Sequence, residues 1–455
     1  MRAPDASRSA DDDLAAAEAL IDAARAAGAD AADVLVASET ALDIGVADGA
    51  LEEAERSEGI DLGLRVFVGQ RQACVAASNV SPGTFAEMAT RAVAIAREAP
   101  DDPYCALAEP DQLAGLPDAD ALELADPAPE PDPEALEQQA RAAEAAGRAV
   151  PGVAMVEQAR ASWGAERVTL LATNGLEHRI ARTIWAVSTS AIAGEGLGRE
   201  RDFAVEIRRH GGDLPPPEEI GRRAGERAVA AIGARKPPAG RYPVLYDERV
   251  AASLLGHLLS AINGQSVARG ASWLRDKMGA AVLPDGLDLA EDPHRPRGRA
   301  SRLVDAEGIA TAPRKLVEDG RLVSWVLDLA TARQLGLQTT GNARRGPAGP
   351  PRPGTANIVL TPGPRSRADL LAEMGTGLLV TSLIGSSVNP TTGAYSRGAS
   401  GFWVERGEIV HPVNEITIAG NLPEMMRSIR PADDADPHKS ARVPSLLVEG
   451  LAIGA

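Results

Sequence analysis

The sequence predicts an α+β fold in two domains, and three observations carry that prediction. Helix-like and strand-like stretches are mixed in both halves, with no regular βαβ alternation of the kind a doubly wound sheet requires. At 455 residues the chain exceeds the size at which one hydrophobic core keeps growing. The segment Gly233-Ala-Arg-Lys-Pro-Pro-Ala-Gly240 breaks the apolar periodicity near the middle. The expected domains are therefore residues 1–235 and 236–455, each built of helices and largely antiparallel sheet.

In the first half, Asp11 to Asp13 precede an Ala-rich helix over Leu14–Ala27, where acidic residues suit the positive end of the helix dipole, and Gly28 closes it. Strand-like runs follow at Asp33–Ala37 and at Leu62–Val68, where alternate residues are apolar. Ser81-Pro82 opens a helix that runs to about Glu98, with proline at the first helical position, where a missing N–H costs nothing. Four prolines in Asp126–Pro133 predict an extended spacer, and Glu134–Arg148 is helical by composition. Val153–Arg209 turns β-rich. There Asn174-Gly175 sits between Val168–Leu171 and a run through Ile180, Ile184 and Val187, which is a hairpin signal. A helix over Glu218–Ile232 ends the half.

The second half opens with Asp247–Gly264, a capped amphipathic helix over 247–262. Turns are predicted at Glu307-Gly308 and Asp319-Gly320, and a long mobile loop over Gly341–Gly354. Strands are predicted at Asn357–Thr361, Leu378–Ile384, Phe402–Glu405, Glu408–Val413, Glu415–Ala419 and Ser445–Ile453. Aromatic residues are scarce, so Ala, Val, Leu and Ile must build the cores.

Composition excludes several functions. A net charge of −17 argues against nucleic acid as a ligand, because phosphate binding needs clustered Lys and Arg. The nearest candidate, His294-Arg-Pro-Arg-Gly-Arg299, is short and reads as a solvated turn. Cys74 and Cys105 provide no disulfide framework and suit a reducing cytosol. Residues 1–13 are polar, without the apolar core of a leader, and no apolar run reaches the length of a membrane span. The expected location is cytoplasmic.

Three blocks near the C-terminus carry a resemblance. They are Gly375-Thr-Gly-Leu-Leu-Val-Thr-Ser-Leu-Ile-Gly385, Ser387 to Ile409 with Tyr395-Ser-Arg-Gly398 ahead of Gly401-Phe-Trp403, and Pro412 to Leu422 with Ile418-Ala-Gly-Asn421. Together they resemble the signature of the TldD/PmbA family, the so-called gyrase modulators, in the wording of its PmbA (TldE) branch. The likeness extends through Leu255-Gly-His-Leu258, Gly264-Gln-Ser-Val267, Asp305-Ala-Glu-Gly308, Leu335-Gly-Leu337 and Thr340-Gly341. It also includes Gly63–Val68 and Gly198-Arg-Glu-Arg-Asp202.

The resemblance implies a two-subunit TldD–TldE zinc metalloprotease that cuts unstructured peptides and trims peptide-antibiotic precursors. In the family's catalytic subunit, His-Glu-x-x-x-His on the equivalent helix supplies two imidazoles and a general base, and a later cysteine completes the ligands. Zinc catalysis needs about three protein ligands, an open position for water and a proton-accepting carboxylate. In one register the corresponding positions here are His257, Leu258 and Ile262; in the other they are Gly256, His257 and Ala261. Neither register supplies the set, and no cysteine follows Cys105. The expectation is therefore no catalytic residue and no metal in this chain, with zinc held by a TldD-like partner subunit. A homodimer is a further possibility when that partner is absent.

The other histidines (His178, His210, His294, His411 and His438) lack metal-ligand spacing. His257 falls on the apolar stripe of its helix, three residues after Leu254, as a hydrogen-bonded core or interface histidine would. No serine sits in a Gly-x-Ser-x-Gly elbow, and the glycines at 375, 377, 398 and 401 fit tight backbone packing better than a phosphate loop. The candidate peptide-cleft or interface residues are His257, Gly375, Thr376, Gly377, Tyr395, Ser396, Arg397 and Gly398, the Tyr395–Gly398 stretch being read as a glycine-rich turn. Two other functions stay open: a regulatory protein-binding factor acting on gyrase or a toxin–antitoxin pair, and a self-sufficient hydrolase with a different metal site.

Overall fold

A computed structural model describes residues 9–115, 118 and 120–454; the first eight residues of the polar N-terminal stretch lie outside them. Helix α1 (Ala10–Ala26) starts in a capping box, in which the Ser9 hydroxyl accepts the Asp12 N–H at 3.1 Å and the Asp12 carboxylate accepts the Ser9 N–H at 2.7 Å. Strands β1 (Ala31–Ala47), β2 (Ala50–Val68) and β3 (Arg71–Ala77) follow, then α2 (Pro82–Glu98) and α3 (Pro133–Arg148). Strands β4 (Val153–Ala172), β5 (Glu177–Ala193) and β6 (Glu200–Arg208) and helix α4 (Pro217–Ala230) complete the first half.

The six strands form one antiparallel sheet in the order β3-β2-β1-β4-β5-β6. Even-numbered residues of β1 turn to the helices: Val34 and Val36 pack under α1 and α2, and Leu42, Ile44 and Val46 under α3 and α4. Helices α3 and α4 cross so closely that a Cβ at Gly221 would sit 1.8 Å from the Ala143 carbonyl oxygen. The opposite sheet face, with Leu35, Ala37, Val168 and Leu170, borders a cavity shared with the second half.

The second half begins with β7 (Gly240–Tyr246), α5 (Glu248–Ala261) and α6 (Gly264–Ala268). A middle layer holds β8 (Leu289–Asp292), β9 (Arg314–Glu318), β10 (Arg321–Leu322), α7 (Leu329–Leu335), the two-stranded pair β11 (Ala343–Arg344) and β12 (Arg352–Pro353), and β13 (Asn357–Leu360). Then come α8 (Arg367–Met374), β14 (Gly377–Val388), β15 (Ala394–Glu405), β16 (Glu408–Asn421), α9 (Leu422–Ser428), β17 (Arg430–Pro431), β18 (Ala441–Arg442) and β19 (Leu446–Gly454). One sheet runs β16-β15-β14-β7-β19-β17, and β16 pairs again with β19, so five strands close into a ring. A smaller sheet runs β10-β9-β8-β13-β18. Helix α8 packs Leu370 and Met374 against Leu245, Leu379, Val404 and Leu447 on one face of the large sheet. Helix α5 packs on the other.

Helices and antiparallel strands thus combine as an α+β fold, with the β7–β14 and β13–β18 pairs parallel. The runs predicted at Glu408–Val413 and Glu415–Ala419 are a single strand, β16, kinked where Glu415 adopts φ 50°. The long mobile loop predicted over Gly341–Gly354 is instead docked. Arg345, with no exposed side-chain surface, pairs with Asp33 of β1, which also binds Arg65 Nε at 2.8 Å. A Cβ at Gly63 would lie 2.4 Å from the Pro347 carbonyl oxygen, so glycine there lets the loop lie directly on β2. Burial pushes the Asp33 carboxyl up, but the Arg345 and Arg65 guanidiniums outweigh it and hold the group below the ordinary carboxylate range.

Removing the shared Asp33 carboxylate would leave two buried guanidiniums without the acid that binds them, at a cost of about 3–5 kcal/mol. Asp33→Ala is therefore expected to destabilise the chain by roughly that amount and, by freeing Arg345 and its loop, to speed tryptic cleavage at Arg344. Denaturant melts and timed proteolysis of wild type and variant read both effects. Unchanged stability with rapid wild-type cleavage at 341–354 would contradict the docking.

Candidate functional site

Strand β7 runs directly into α5, and Asp247 fixes the junction. Its carboxylate accepts the Arg249 N–H at 3.1 Å, and its own N–H donates to the Val380 carbonyl of β14 at 2.9 Å. The register of α5 against β14 is set there. The helix buries Ala251, Leu254, Leu255, Leu258, Ala261 and Ile262, while Ser253 and Ser260 are exposed and a Cβ at Gly256 would meet nothing within 4 Å. Of the two possible ligand registers, Gly256–His257–Ala261 is the one with a position facing open space. Leu258 and Ile262 of the other register are in the core.

His257 is half-buried and packs edge-on to Tyr395, with ring centroids 5.6 Å apart and planes at 75°. Its Nε2 is buried without a hydrogen-bond partner among the described residues, unlike the hydrogen-bonded ring expected at that atom. The Tyr246 hydroxyl donates to the Tyr395 oxygen at 3.3 Å. Desolvation, reinforced by the Arg397 charge, lowers the His257 pKa, and burial raises those of Tyr246 and Tyr395. All three rings are held neutral.

Tyr395, Ser396, Arg397 and Gly398 lie within β15, not in a turn; the actual turn is at 389–393. Arg397 Nε donates to the Gly385 carbonyl at 2.7 Å. Gly375, Thr376 and Gly377 are far from this group. Gly377 pairs with Val404 at one end of the β14–β15 hairpin, whereas Val388 pairs with Tyr395 at the other. At ~3.3 Å per residue that is on the order of 30 Å. The structure thus brings His257, Tyr395 and Arg397 together, and leaves the Gly375–Gly377 block as the link between α8 and β14.

Two features of the site carry no sequence signal of their own. Strand β14 pairs with β7 only over Leu378–Val380; beyond that its second edge has no strand partner among the described residues, and Ser382, Ile384, Gly385 and Ser387 are exposed. Beside this edge lies a cavity of about 510 Å³ between the halves, walled by Ser382, Ile384, Ser400 and Phe402 on one side and by α4 and β6 on the other. Asp202 of β6 binds Arg249 of α5 through two hydrogen bonds, at 2.6 and 3.1 Å, and fixes that wall. The sequence shows Gly198–Asp202 as a motif but gives no partner for it.

A zinc ion does not fit α5. Gly256 offers no side chain, Ala261 is buried, and the one imidazole packs on Tyr395 with no carboxylate beside it on the helix. His178, His210, His294, His411 and His438 are dispersed: His210 Nε2 meets the Glu123 carbonyl at 2.9 Å and His294 Nε2 meets Thr311 at 3.0 Å. Among the described residues no three His, Cys, Asp or Glu side chains are grouped to hold a metal. Cys74 and Cys105 are free thiols, and among the described residues no helix is long and apolar enough to cross a membrane.

A helix seated against a ring of strands, beside an open strand edge and an inter-half cavity, defines an α+β scaffold whose helix α5 offers a single imidazole. Models of the PmbA/TldA metallopeptidase family match along the chain: domain 1 over residues 32–96, the central domain over 126–232 and the C-terminal domain over 239–455. The chain is 37% identical over 400 residues to metalloprotease PmbA of Escherichia coli O157:H7, covering 88% of this chain and 86% of that one. A Bacteroides thetaiotaomicron protein described as a modulator of DNA gyrase superposes with a TM-score of 0.89 at 25% identity, over 98% of this chain and 99% of that one. TldE from Thermococcus kodakarensis shares the fold, with a TM-score of 0.83 at 22% identity over 97% and 100% of the two chains. The chain belongs to the PmbA/TldD metallopeptidase family.

The depressed His257 pKa gives a sign that can be tested. The unfolded chain takes up the proton first as pH falls below ~6.5, so this histidine's contribution to stability is complete above that value and is lost as pH falls through the lower folded pKa. Denaturant melts at pH 7 and pH 5 should show wild type losing more stability than His257→Leu. Equal losses would contradict the desolvated, neutral imidazole.

Proposed function

We propose that this chain is the non-catalytic, TldE/PmbA-type subunit of a heteromeric TldD–TldE zinc metalloprotease that degrades or processes unstructured peptides in the cytoplasm. The observation that carries the reading is α5. Where the family's catalytic helix presents imidazole, carboxylate and imidazole, this one presents Gly256, His257 and Ala261 on the same turns. Zinc and its general base would reside in the TldD-like partner.

This chain's own contribution is geometric. An extended peptide can add to the open edge of β14 through main-chain hydrogen bonds, which read conformation and tolerate sequence. Its side chains would project into the neighbouring cavity. A folded protein has most of its strands already paired and its few edges shielded, so the wall favours unstructured segments.

The E. coli relative is itself named a metalloprotease, which favours a second reading, a chain that is active by itself. Peptidase assays on an unstructured peptide separate the two readings. We expect no cleavage by this chain alone, chelator-sensitive cleavage on mixing with a His-Glu-x-x-x-His homologue, and a drop of about tenfold in the mixture with Arg397→Ala at unchanged partner zinc. Robust chelator-sensitive proteolysis by this chain alone would sink the proposal.

A further inference from the structure

The segment His294–Arg299 is a turn with Pro296, Arg297 and Arg299 exposed, but it is not solvated throughout. Arg295 is only 9% exposed; its Nη2 donates to Asn357 Oδ1 at 3.0 Å and to the Lys439 carbonyl at 2.8 Å, while Nη1 is buried with no partner. Arg209, at the end of β6, is 7% exposed. It donates to the Thr183 carbonyl at 2.9 Å and to the Arg299 carbonyl at 2.6 Å, leaving Nε buried and unpartnered. Both side chains line a cavity of about 310 Å³ where β6, the 295–299 loop and β18 meet, together with Arg208, Arg297, Arg299 and Arg442.

The charges around this cavity do not balance. Arg297 is matched by Glu123 at 2.7 Å and Asp213 at 3.0 Å, and Arg208 by Glu206 at 2.9 Å. No carboxylate of the described residues pairs with Arg209, Arg295, Arg299 or Arg442, and Asp213 is the single acid on the cavity wall. In a chain of net charge −17, four guanidiniums without counter-ions at one point are conspicuous, and two of them are desolvated. Desolvation with the neighbouring Arg442 outweighs Asp292 and brings Arg295 down to about 10, and desolvation with Arg182 and Arg299 outweighs Glu166 and does the same to Arg209. An anion would relieve this repulsion, and the planar fork of arginine matches two oxygens of a phosphate or carboxylate.

We infer that this cavity is a binding site for a small oxyanion, inorganic phosphate or the terminal carboxylate of a peptide, held by Arg209, Arg295, Arg299 and Arg442. Because Arg209 comes from the first half and the other three from the second, the bound anion ties the halves together. The inference does not depend on which subunit carries the chemistry.

Calorimetric titration of the full chain with inorganic phosphate, at ionic strength fixed with chloride, tests it. The expected result is saturable binding at about one site per chain and a rise in melting temperature. Arg442→Gln should weaken binding about tenfold, the usual effect of deleting one charge-assisted hydrogen bond to an ion, while Arg427→Gln, at an exposed position of α9, should leave it unchanged. Arg295→Lys keeps the charge without the fork and should also weaken binding, which guards against a misfolded Arg442 variant. Displacement of phosphate by an unstructured peptide with a free C-terminus, but not by its amide, would assign the site to peptide ends; displacement by neither would assign it to the inorganic ion. No saturable binding, or equal affinity in wild type and Arg442→Gln, would overturn the inference.

Discussion

The burial of one face of α5 against the ring of strands is the constraint on which the rest of the site depends. Leu254, Leu255, Leu258 and Ile262 are essentially inaccessible to solvent, and each contributes roughly 1.5–3 kcal/mol by leaving water. Helical periodicity then leaves few positions to face outward. Asp247, hydrogen-bonded to Val380, fixes the rotation of the helix, so Gly256 and His257 occupy the turn that could meet a ligand. The helix therefore keeps its structural role while its outward turn is free of the residues that zinc needs. Chemistry can be lost from one face while the packing on the other maintains the scaffold.

Electrostatics joins the two halves in a complementary way. Asp33 gathers Arg65 from its own sheet and Arg345 from the 341–354 loop, and Asp202 grips Arg249 at the start of α5. Buried charges of this kind are tolerated because each finds a partner. One family motif uses buried carboxylates differently, to tie down the backbone of the second half itself. In Asp305-Ala-Glu-Gly308, Asp305 accepts the N–H groups of Glu307, Ile309 and Ala343, and Glu307 accepts that of Leu329. Such residues hold long connections in place, and the open edge of β14 and its adjoining cavity depend on that rigidity.

The α+β class, most of the helices and the single imidazole of α5 are legible in the sequence, because those rest on local rules: caps, 3.6-residue periodicity and side-chain chemistry. The strands are understated there. Residues 54–59 of β2 are largely exposed, so they carry no apolar alternation, although Asp48-Gly49, with φ 49° and 71°, is the kind of pair a two-residue hairpin joining β1 to β2 prefers. Loops mislead for a related reason. Gly341–Gly354 and His294–Arg299 look polar or flexible by composition, yet each is fixed by partners remote in sequence: Asp33 for the first, Asn357 and the Lys439 carbonyl for the second. Long-range pairing also hides Tyr246, one residue ahead of the helix cap, as the companion of Tyr395. The eight candidate cleft residues are grouped by motif, and the fold separates them because a hairpin places its two ends far apart.

The central claim is that α5 of this chain holds no catalytic metal. Elemental analysis of the chain purified alone, and again in a stable complex with a His-Glu-x-x-x-His homologue, tests it most directly. The account predicts no stoichiometric zinc in the chain alone, and zinc in the complex equal to the amount of homologue and unaffected by His257→Ala. About one zinc per chain in the protein alone, lost on His257→Ala, would contradict it.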